Sequence, residues 1–270
     1  MEGLKITIKG WQDGEKFERQ LEPDESTDRW TLHAAEELTL EFDEGKTVTI
    51  QQEPKKINAT RIGVGAVCWE GELFLATYLA SLPAYRYIGA RVVELGAGPG
   101  LAGIMLAKMG AKVHVTDIAK VLPIVEGNLT SNGVSLAQRR GAAEGYAVAE
   151  ELEWGAPGYE AVVARLASEP VDWVVAADCC YIDQEGTSPS TPHFVNTCAM
   201  LCGPTTRCLV CFELRSSEVQ RVFVEESRRA FAKVERLLPH SLPKPCQVDH
   251  ILLYELSGVL PDRPRPPPVQ

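Results

Sequence analysis

The segment AADCCYIDQEG, residues 176–186, places two adjacent cysteines between an aspartate and a tyrosine. Cys179 and Cys180 suggest a metal-binding or redox pair, whereas Asp178 and Tyr181 offer a carboxylate and a phenol. A reactive thiolate needs a cationic or helix-terminal setting, and a neighbouring carboxylate has the opposite effect. The run VDWVVAAD is a buried strand that delivers Asp178 to the end of a sheet. We therefore predict that Asp178 and Tyr181 carry the chemistry and that the cysteines only separate them.

The glycine turn ELGAGPG, after the strand RVVEL, is a second candidate site. Gly96 and Gly98 allow a ligand to approach the backbone closely, and an acid, Glu94, precedes them. A dinucleotide fingerprint requires a glycine where this chain has Leu101. Asp117 ends the next strand, roughly twenty residues on, where a carboxylate can accept hydrogen bonds from ribose hydroxyls. The combination suits S-adenosylmethionine, whose sulfonium and ammonium groups need a cleft without phosphate-binding character. A plain glycine turn with a solvated aspartate is the alternative.

The composition excludes several classes of function. The 270 residues are 45% hydrophobic and 24% charged, which is typical of a globular protein with one main domain and an appendage. A formal net charge of −10 argues against nonspecific binding to nucleic acid or anionic lipid, because both require a basic face. No apolar run approaches the roughly 20 residues of a membrane span, and the first residues resemble neither a signal nor a transit peptide. We expect a cytosolic or nuclear protein that binds neither nucleic acid nor membrane.

The eight cysteines are expected to be reduced thiols that pack as small apolar side chains. Cys208 and Cys211 form a C-x-x-C, but they lie in the predicted strand RCLVCFEL, where residues at this spacing point to opposite faces. Cys198 and Cys202 lie one helical turn apart, and the five histidines show no metal-ligand spacing. We predict no metal site.

From residue 66 onward, helical patterns alternate with apolar strands such as RVVELGAG, AKVHVTD, VDWVVAAD and RCLVCFEL. This alternation predicts an α/β fold with a doubly wound, mostly parallel, Rossmann-like sheet. KVERLLP and DHILLYEL follow each other without a helix, so one of them must run antiparallel at an edge. We divide the chain into an N-terminal β-rich appendage with a β-hairpin (1–60), a catalytic domain (61–258) and a Pro-rich disordered tail (259–270).

These motifs resemble those of methyltransferase family 16, the seven-β-strand protein methyltransferases that mostly modify lysine. The resemblance is carried by GVGAVCWEGELFLATYLA, VVELGAGPGLAGIMLAKMGAKVHVTD, ELEWG and DWVVAADCCY, and extends from the hairpin near residue 38 to the last strand. Asp178 and Tyr181 match the family's Asp-x-x-Tyr motif, whose middle positions vary. The resemblance implies a seven-stranded sheet, S-adenosylmethionine as cofactor, S-adenosylhomocysteine as product and a lysine of a protein as methyl acceptor.

The resemblance also assigns residues to the cofactor and the substrate. Trp69 would lie against the methionine part of the cofactor and Trp154, in LEWG, against its adenine, although a core role is the alternative for both. The implied cofactor-binding residues are Trp69, Glu94, Gly96, Ala97, Gly98, Asp117, Ile118, Asn128, Trp154 and Ala177. Glu213 and Arg215, at the end of the fifth strand, either bind the substrate or pair with each other.

The expected reaction is methyl transfer to a lysine amine that has first lost its proton, which can pass to water. Asp178 would attract and orient the ammonium group, and Tyr181 would guide the nitrogen toward the methyl group. The rivals are an enzyme of the same fold that methylates arginine, histidine or a small amine, and a noncatalytic module that binds the cofactor to recognise a partner. We expect a monomer whose protein substrate has a basic surface. Such a surface would match the acidic residues Glu15, Glu18, Glu22, Asp24, Glu25 and Asp28, although such a run is more often a solvated face.

Overall fold

The computed structural model describes residues 5–12, 15–21, 29–42, 45–56, 63–135, 145–181, 187–263 and 266. Within these ranges, no helix combines the length and the apolar composition that crossing a membrane requires. Several residues singled out above lie outside the described part of the chain. These are Glu22, Asp24, Glu25 and Asp28 of the acidic segment and residues 264, 265 and 267–270 of the tail.

A four-stranded antiparallel sheet forms the N-terminal part of the described chain. Its elements are β1 (Lys5–Gln12), β2 (Glu15–Leu21), the short helix α1 (Arg29–Ala34), β3 (Ala35–Phe42) and β4 (Lys46–Gln51). The strands lie in the order β2-β1-β3-β4. β3 pairs antiparallel with β4, and both alternate buried with more exposed residues. This confirms the β-hairpin predicted for the N-terminal part of the chain.

The larger sheet has seven strands, as predicted. They are β5 (Arg91–Leu95), β6 (Lys112–Asp117), β7 (Tyr146–Glu151), β8 (Trp173–Ala177), β9 (Arg207–Glu213), β10 (Phe231–Leu237) and β11 (Ile251–Val259). Their order is β10-β11-β9-β8-β5-β6-β7, and β5 to β9 run parallel. β11 runs antiparallel to both β9 and β10. The predicted antiparallel pairing at this edge is present, but the reversed strand is second from the edge, because β11 returns from β10 and inserts beside β9.

Helices cover both faces of this sheet. They are α2 (Glu70–Ser81), α3 (Leu101–Lys108), α4 (Leu122–Ser131), α5 (Tyr159–Leu166), α6 (Ser190–Leu201) and α7 (Ser217–Ala230). The apolar side chains of α2, α3, α4 and the N-terminal sheet join one core, and those of α5, α6 and α7 join a second. Neighbouring strand residues such as Val92 and Val93 alternate between the two cores. Cys208 and Cys211 also pack in different cores, as their spacing predicted.

Two asparagine amides, one in α4 and one directly after it, cover the outer edge of β4. Asn128 accepts the N–H of Gln51 at 2.8 Å and donates to its carbonyl at 3.1 Å. Asn132 forms the same pair with Thr49, at 3.1 and 2.6 Å. Four residues along a helix and two residues along a strand both span about 6 Å. The spacing of the two asparagines therefore matches the spacing of Thr49 and Gln51 on β4. The amides thus satisfy a strand edge and fasten the N-terminal sheet to α4.

The parallel strands bring the candidate residues to one edge. The chain passes from β5 to β6 and β7 on one side and then returns to β8 on the other side of β5. In open α/β sheets, ligands bind beyond the carboxyl ends of the strands at such a switch point. The residues after β5, β6, β7 and β8 therefore surround one crevice.

Candidate active site

The turn after β5 approaches its neighbours so closely that it requires glycine. Gly96 has a φ of 62°, and a Cβ there would lie 2.6 Å from Cys179 Sγ and 3.1 Å from the Trp154 ring. Gly98 has a φ of 52° and donates its N–H to Asp117 Oδ2 at 2.8 Å. The turn is thereby tied to the end of β6, and both glycines line the crevice.

Two predicted carboxyl groups lie beside this turn. Glu94 is 3% exposed, and its Oε2 accepts the N–H of Gly103 in α3 at 3.0 Å. Asp117 accepts the N–H of Ile118 at 2.7 Å through Oδ1, in addition to its bond with the glycine turn. Burial raises the pKa of Glu94 well above its usual range and that of Asp117 to about 6. Glu94 therefore ties β5 to α3 from within the protein, whereas Asp117 faces the crevice.

A third buried carboxyl group, Glu72, was not predicted. It lies in the first turn of α2, is 6% exposed and lines the crevice. Its Oε1 accepts the N–H of Leu101, at the start of α3, at 2.7 Å. Burial raises its pKa to about 8 although this hydrogen bond opposes the shift. The sequence did contain a signal, because a carboxylate within the apolar helix EGELFLATYLASL has little solvent to face.

Asp178 joins three elements at the crevice. It follows β8 with a φ of 51°, a conformation that aspartate tolerates better than most residues. Its Oδ2 accepts the N–H of Gly71 in α2 at 2.8 Å, and its Oδ1 accepts the N–H of Glu213 in β9 at 2.9 Å. Arg215 Nη2 lies 3.8 Å from Oδ1, and the Asp178 side chain is only 7% exposed. Burial raises the pKa of Asp178, and the two N–H groups and Arg215 oppose that shift.

The cysteines after Asp178 lack the setting of reactive thiols. Cys179 and Cys180 are buried, whereas Tyr181 is 52% exposed. Burial raises the pKa of Cys180 to about 12 and that of Cys179 well above its usual range. Both groups remain protonated at neutral pH, and Cys179 Sγ donates to the Leu95 carbonyl at 3.1 Å. The pair therefore acts as buried packing between the acid and the phenol.

An arginine covers the tryptophan at the start of α2. The Arg215 guanidinium carbon lies 4.2 Å from the centre of the Trp69 ring, and Arg215 Nε donates to Glu213 Oε2 at 2.6 Å. His33 of α1 meets the same ring edge-on, with 4.3 Å between ring centroids. Of the two alternatives for Glu213 and Arg215, the structure shows the mutual pair, and Arg215 also lines the crevice.

One wall of the crevice carries buried polar atoms with no hydrogen-bond partner among the described residues. They are Trp154 Nε1, Ser190 Oγ and His193 Nδ1. The Trp154 ring itself contacts Phe194 of α6, with centroids 5.0 Å apart. Leaving a buried donor or acceptor unpaired costs about 1–3 kcal/mol, so a ligand with a polar edge would be stabilised here. Ser190 and His193 were not predicted, because their position at the cavity depends on the packing of α6.

The crevice is a cavity of about 480 Å³, within the range of roughly 300–1,000 Å³ that is usual for small-molecule sites. Ten predicted residues line it: Trp69, Gly96, Gly98, Asp117, Ile118, Trp154, Ala177, Asp178, Tyr181 and Arg215. Four predicted residues lie outside this lining: Glu94, Ala97, Asn128 and Glu213.

Asn128 lies outside the residues that line the cavity. It is 2% exposed, and its amide also donates to the carbonyl of Pro99 at 3.0 Å. The side chain therefore supports the glycine turn from the side of β4 and does not reach the cavity. Ala97 is likewise buried and donates its N–H to the Thr116 carbonyl at 3.1 Å.

The residues that line the cavity fit S-adenosylmethionine. Asp117 can accept bonds from ribose hydroxyls, and Ile118 and Ala177 offer apolar contacts to a flat base. Trp154 Nε1, Ser190 Oγ and His193 Nδ1, which have no hydrogen-bond partner among the described residues, suit the polar edge of such a base. In the described part of the chain, no Lys, Arg or His side chain forms an ion pair with Glu72, Glu94 or Asp117. A positively charged ligand would therefore meet no existing ion pair at Glu72 or Asp117, the two of these acids that line the cavity.

Known proteins with related sequences are protein methyltransferases. The profile of the family described as lysine methyltransferase matches residues 45–230. Protein N-lysine methyltransferase METTL21A of Mus musculus is 29% identical over 169 residues, which cover 63% of this chain and 67% of that protein. EEF1A lysine methyltransferase 3 of Xenopus tropicalis is 27% identical over 165 residues, which cover 61% of this chain and 65% of that protein. The match thus spans about two thirds of the length of these relatives.

A solved structure shows the same fold. The T. Thermophilus 16S rRNA N2 G1207 methyltransferase RsmC, determined in complex with AdoMet and guanosine, matches with a TM-score of 0.52 and 18% sequence identity. The match covers 80% of this chain and 49% of that chain.

Proposed function

Because the chain belongs to the lysine methyltransferase family, we propose that it transfers a methyl group from S-adenosylmethionine to a lysine side chain of a protein. One observation carries the proposal: Asp178 and Tyr181 line the same cavity as the glycine turn and Asp117. The residues suited to the cofactor and those suited to the acceptor therefore share one site. When bound, S-adenosylmethionine supplies an electrophilic methyl group on a positively charged sulfur.

The protein's own contribution at the acceptor end is position and charge. A lysine amine has a pKa of about 10.4 and must lose its proton before it can act as a nucleophile. Asp178 attracts the ammonium group by charge and through its remaining lone pairs, since each oxygen already accepts one N–H. Arg215, near Asp178, disfavours the charged form of an amine that reaches this point. The exposed Tyr181 ring contacts the aliphatic part of the entering side chain, and the proton passes to water.

We further propose that the protein substrate has a basic surface around its target lysine and meets the enzyme in the cytosol or nucleus. The support for the basic surface is the net charge of −10 together with the exposed acids Glu15 and Glu18 on β2. If charge attraction contributes, the methylation rate should fall as salt rises from 50 to 300 mM, because screening shortens the reach of surface charges.

The test is transfer of a labelled methyl group into a whole-cell protein extract, followed by mass spectrometry of each labelled band. Tyr181→Phe and Asp178→Asn are compared with wild type, and thermal unfolding and affinity for S-adenosylhomocysteine serve as controls for each variant. Label on lysine that falls by orders of magnitude in an Asp178→Asn protein with near-normal cofactor affinity supports the proposal. Equal activity in Asp178→Asn contradicts the role of the carboxylate. Cofactor binding without any labelled protein contradicts protein methylation and favours a small amine as acceptor.

A further inference from the structure

We propose that the carbonyl groups of Gly65 and Val67 and the carboxylate of Glu72 form the binding site for the ammonium group of S-adenosylmethionine. This inference rests on the proposed function, because it identifies the residues that hold one end of the proposed cofactor. It also assigns Glu72, which neither the motifs nor the resemblance singled out, to the binding of a charged ligand group.

Three oxygen atoms converge on one point beside the glycine turn. A Cβ placed on Gly98 would lie 3.7 Å from the Gly65 oxygen, 3.7 Å from the Val67 oxygen and 3.8 Å from Glu72 Oε2. All four residues line the cavity, so the space in front of Gly98 faces three acceptors. An ammonium group has three N–H donors and no acceptor, which matches this arrangement.

The three acceptors retain capacity for a ligand. Glu72 uses Oε1 for the Leu101 N–H, and the Cys68 thiol also hydrogen bonds to the carboxyl group. Among the described residues, no backbone N–H donates to the Gly65 or Val67 carbonyl. Each carbonyl oxygen has two lone pairs and each carboxylate oxygen a similar number, so all three groups can accept an N–H of a bound ammonium.

The charges around Glu72 favour a cation. The titratable groups that interact with it are Cys68 before α2, Glu94 of β5, Asp117 of β6, Asp178 after β8 and Cys211 of β9, and none of these is a cation. In the ligand-free protein, burial keeps the pKa of Glu72 at about 8, so most of this carboxyl group is protonated at pH 7. A bound ammonium stabilises the carboxylate and lowers that pKa. Ligand binding at pH 7 should therefore release a proton from Glu72.

The experiment compares two ligands with two proteins by isothermal titration calorimetry. The ligands are S-adenosylhomocysteine and its desamino analogue, in which hydrogen replaces the amino group. The proteins are wild type and Glu72→Gln, which keeps an oxygen for the Leu101 N–H. We expect Glu72→Gln to weaken S-adenosylhomocysteine about tenfold, as when a charged hydrogen bond becomes neutral. Its affinity for the desamino analogue should stay within about twofold of wild type.

Proton release provides a second readout, taken from titrations at pH 7 in two buffers of different ionisation enthalpy. Wild type should release a proton with S-adenosylhomocysteine and none with the desamino analogue, a result that does not depend on the folding of any variant. Glu150→Gln is the matched control, because Glu150 of β7 pairs with Arg165 of α5 and His114 of β6 and lies outside the cavity lining.

The outcomes separate this inference from the proposed function. If Glu72→Gln weakens both ligands equally, or neither, Glu72 does not bind the ammonium and the inference is overturned. Equal proton release from both ligands in wild type overturns it as well. If wild type binds neither S-adenosylmethionine nor S-adenosylhomocysteine, the proposed function itself fails.

Discussion

Replacing Asp178 by asparagine should destabilise the fold as well as the reaction. Asparagine offers one oxygen and one NH₂ group, so either the Gly71 or the Glu213 N–H loses its acceptor and faces another donor. A buried unpaired donor costs about 1–3 kcal/mol, and the surviving bond loses its charge assistance, roughly another 1 kcal/mol. The backbone adds little, because asparagine also tolerates a φ of 51°. The two hydrogen bonds to the carboxylate stabilise the wild-type fold. The raised pKa of Asp178 indicates that burial of its charge offsets part of that stabilisation. We therefore expect the free energy of unfolding to fall by about 2 kcal/mol.

The assay is urea unfolding of the ligand-free protein at pH 7, followed by circular dichroism. Asp172→Asn is the matched control, because Asp172 Oδ2 accepts a single N–H, that of Arg91, at an exposed position and at 2.8 Å. That change should lower the free energy of unfolding by about 0.5 kcal/mol or less. An unchanged free energy in Asp178→Asn would refute the reasoning, because it would mean that both backbone N–H groups find other acceptors.

Three other perturbations have distinct expected results. Gly96→Ala would place alanine at a left-handed φ of 62°, with its Cβ only 2.6 Å from Cys179 Sγ. This change should lower the free energy of unfolding by about 2–4 kcal/mol. It should also abolish the binding of S-adenosylhomocysteine measured by calorimetry. The pKa of Glu72 rises from 4.5 to about 8 on folding, so its contribution to stability is present below pH 4.5 and is lost as pH rises toward 8. The unfolding free energy of the ligand-free protein should fall over this window by up to about 1.4 kcal/mol per pH unit from Glu72, and a slope unchanged in Glu72→Gln would contradict this origin. Cys179 and Cys180, buried with raised pKa values, should resist iodoacetamide in the native protein at pH 8, as peptide mapping would show, and rapid labelling of either would contradict their role as packing.

The sequence predicts most strands and the turns that follow them, because the patterns that indicate these elements are local. Apolar strands followed by glycine or aspartate place Gly96, Asp117 and Asp178 at the carboxyl edge of a parallel sheet, and the structure brings all three to one cavity. The partners of Asp178 were not predictable in this way. Gly71 and Glu213 lie 107 and 35 residues from it, and no spacing pattern reports such pairings.

Two polar residues show the limit of prediction from local sequence. Asn128 was predicted at the site but lies outside the cavity lining, whereas Glu72 was not predicted but lines the cavity. Asn128 is a polar residue in the right helix, but its partner Gln51 lies 77 residues away and draws the amide toward β4 instead of the cavity. Glu72 is hidden in an apolar helix and reaches the cavity because α2 lies beside the glycine turn and the start of α3. Burial disfavours the charged form of this carboxyl group, and such a conflict between burial and charge is typical of functional positions.

The amide of Asn128 bonds to β4 and to the carbonyl of Pro99 at once, so a single side chain links the antiparallel sheet to the glycine turn. A fragment that began at residue 61 would lose β4, and with it the apolar cover that Val48 and Ile50 provide. That truncation would also affect the cofactor site, because Asn128 would lose its bonds to β4 while it still holds the glycine turn through Pro99. In the full chain, amide exchange at Gln51 and at the glycine turn should follow one opening event, which would make the antiparallel sheet an integral part of the folding unit.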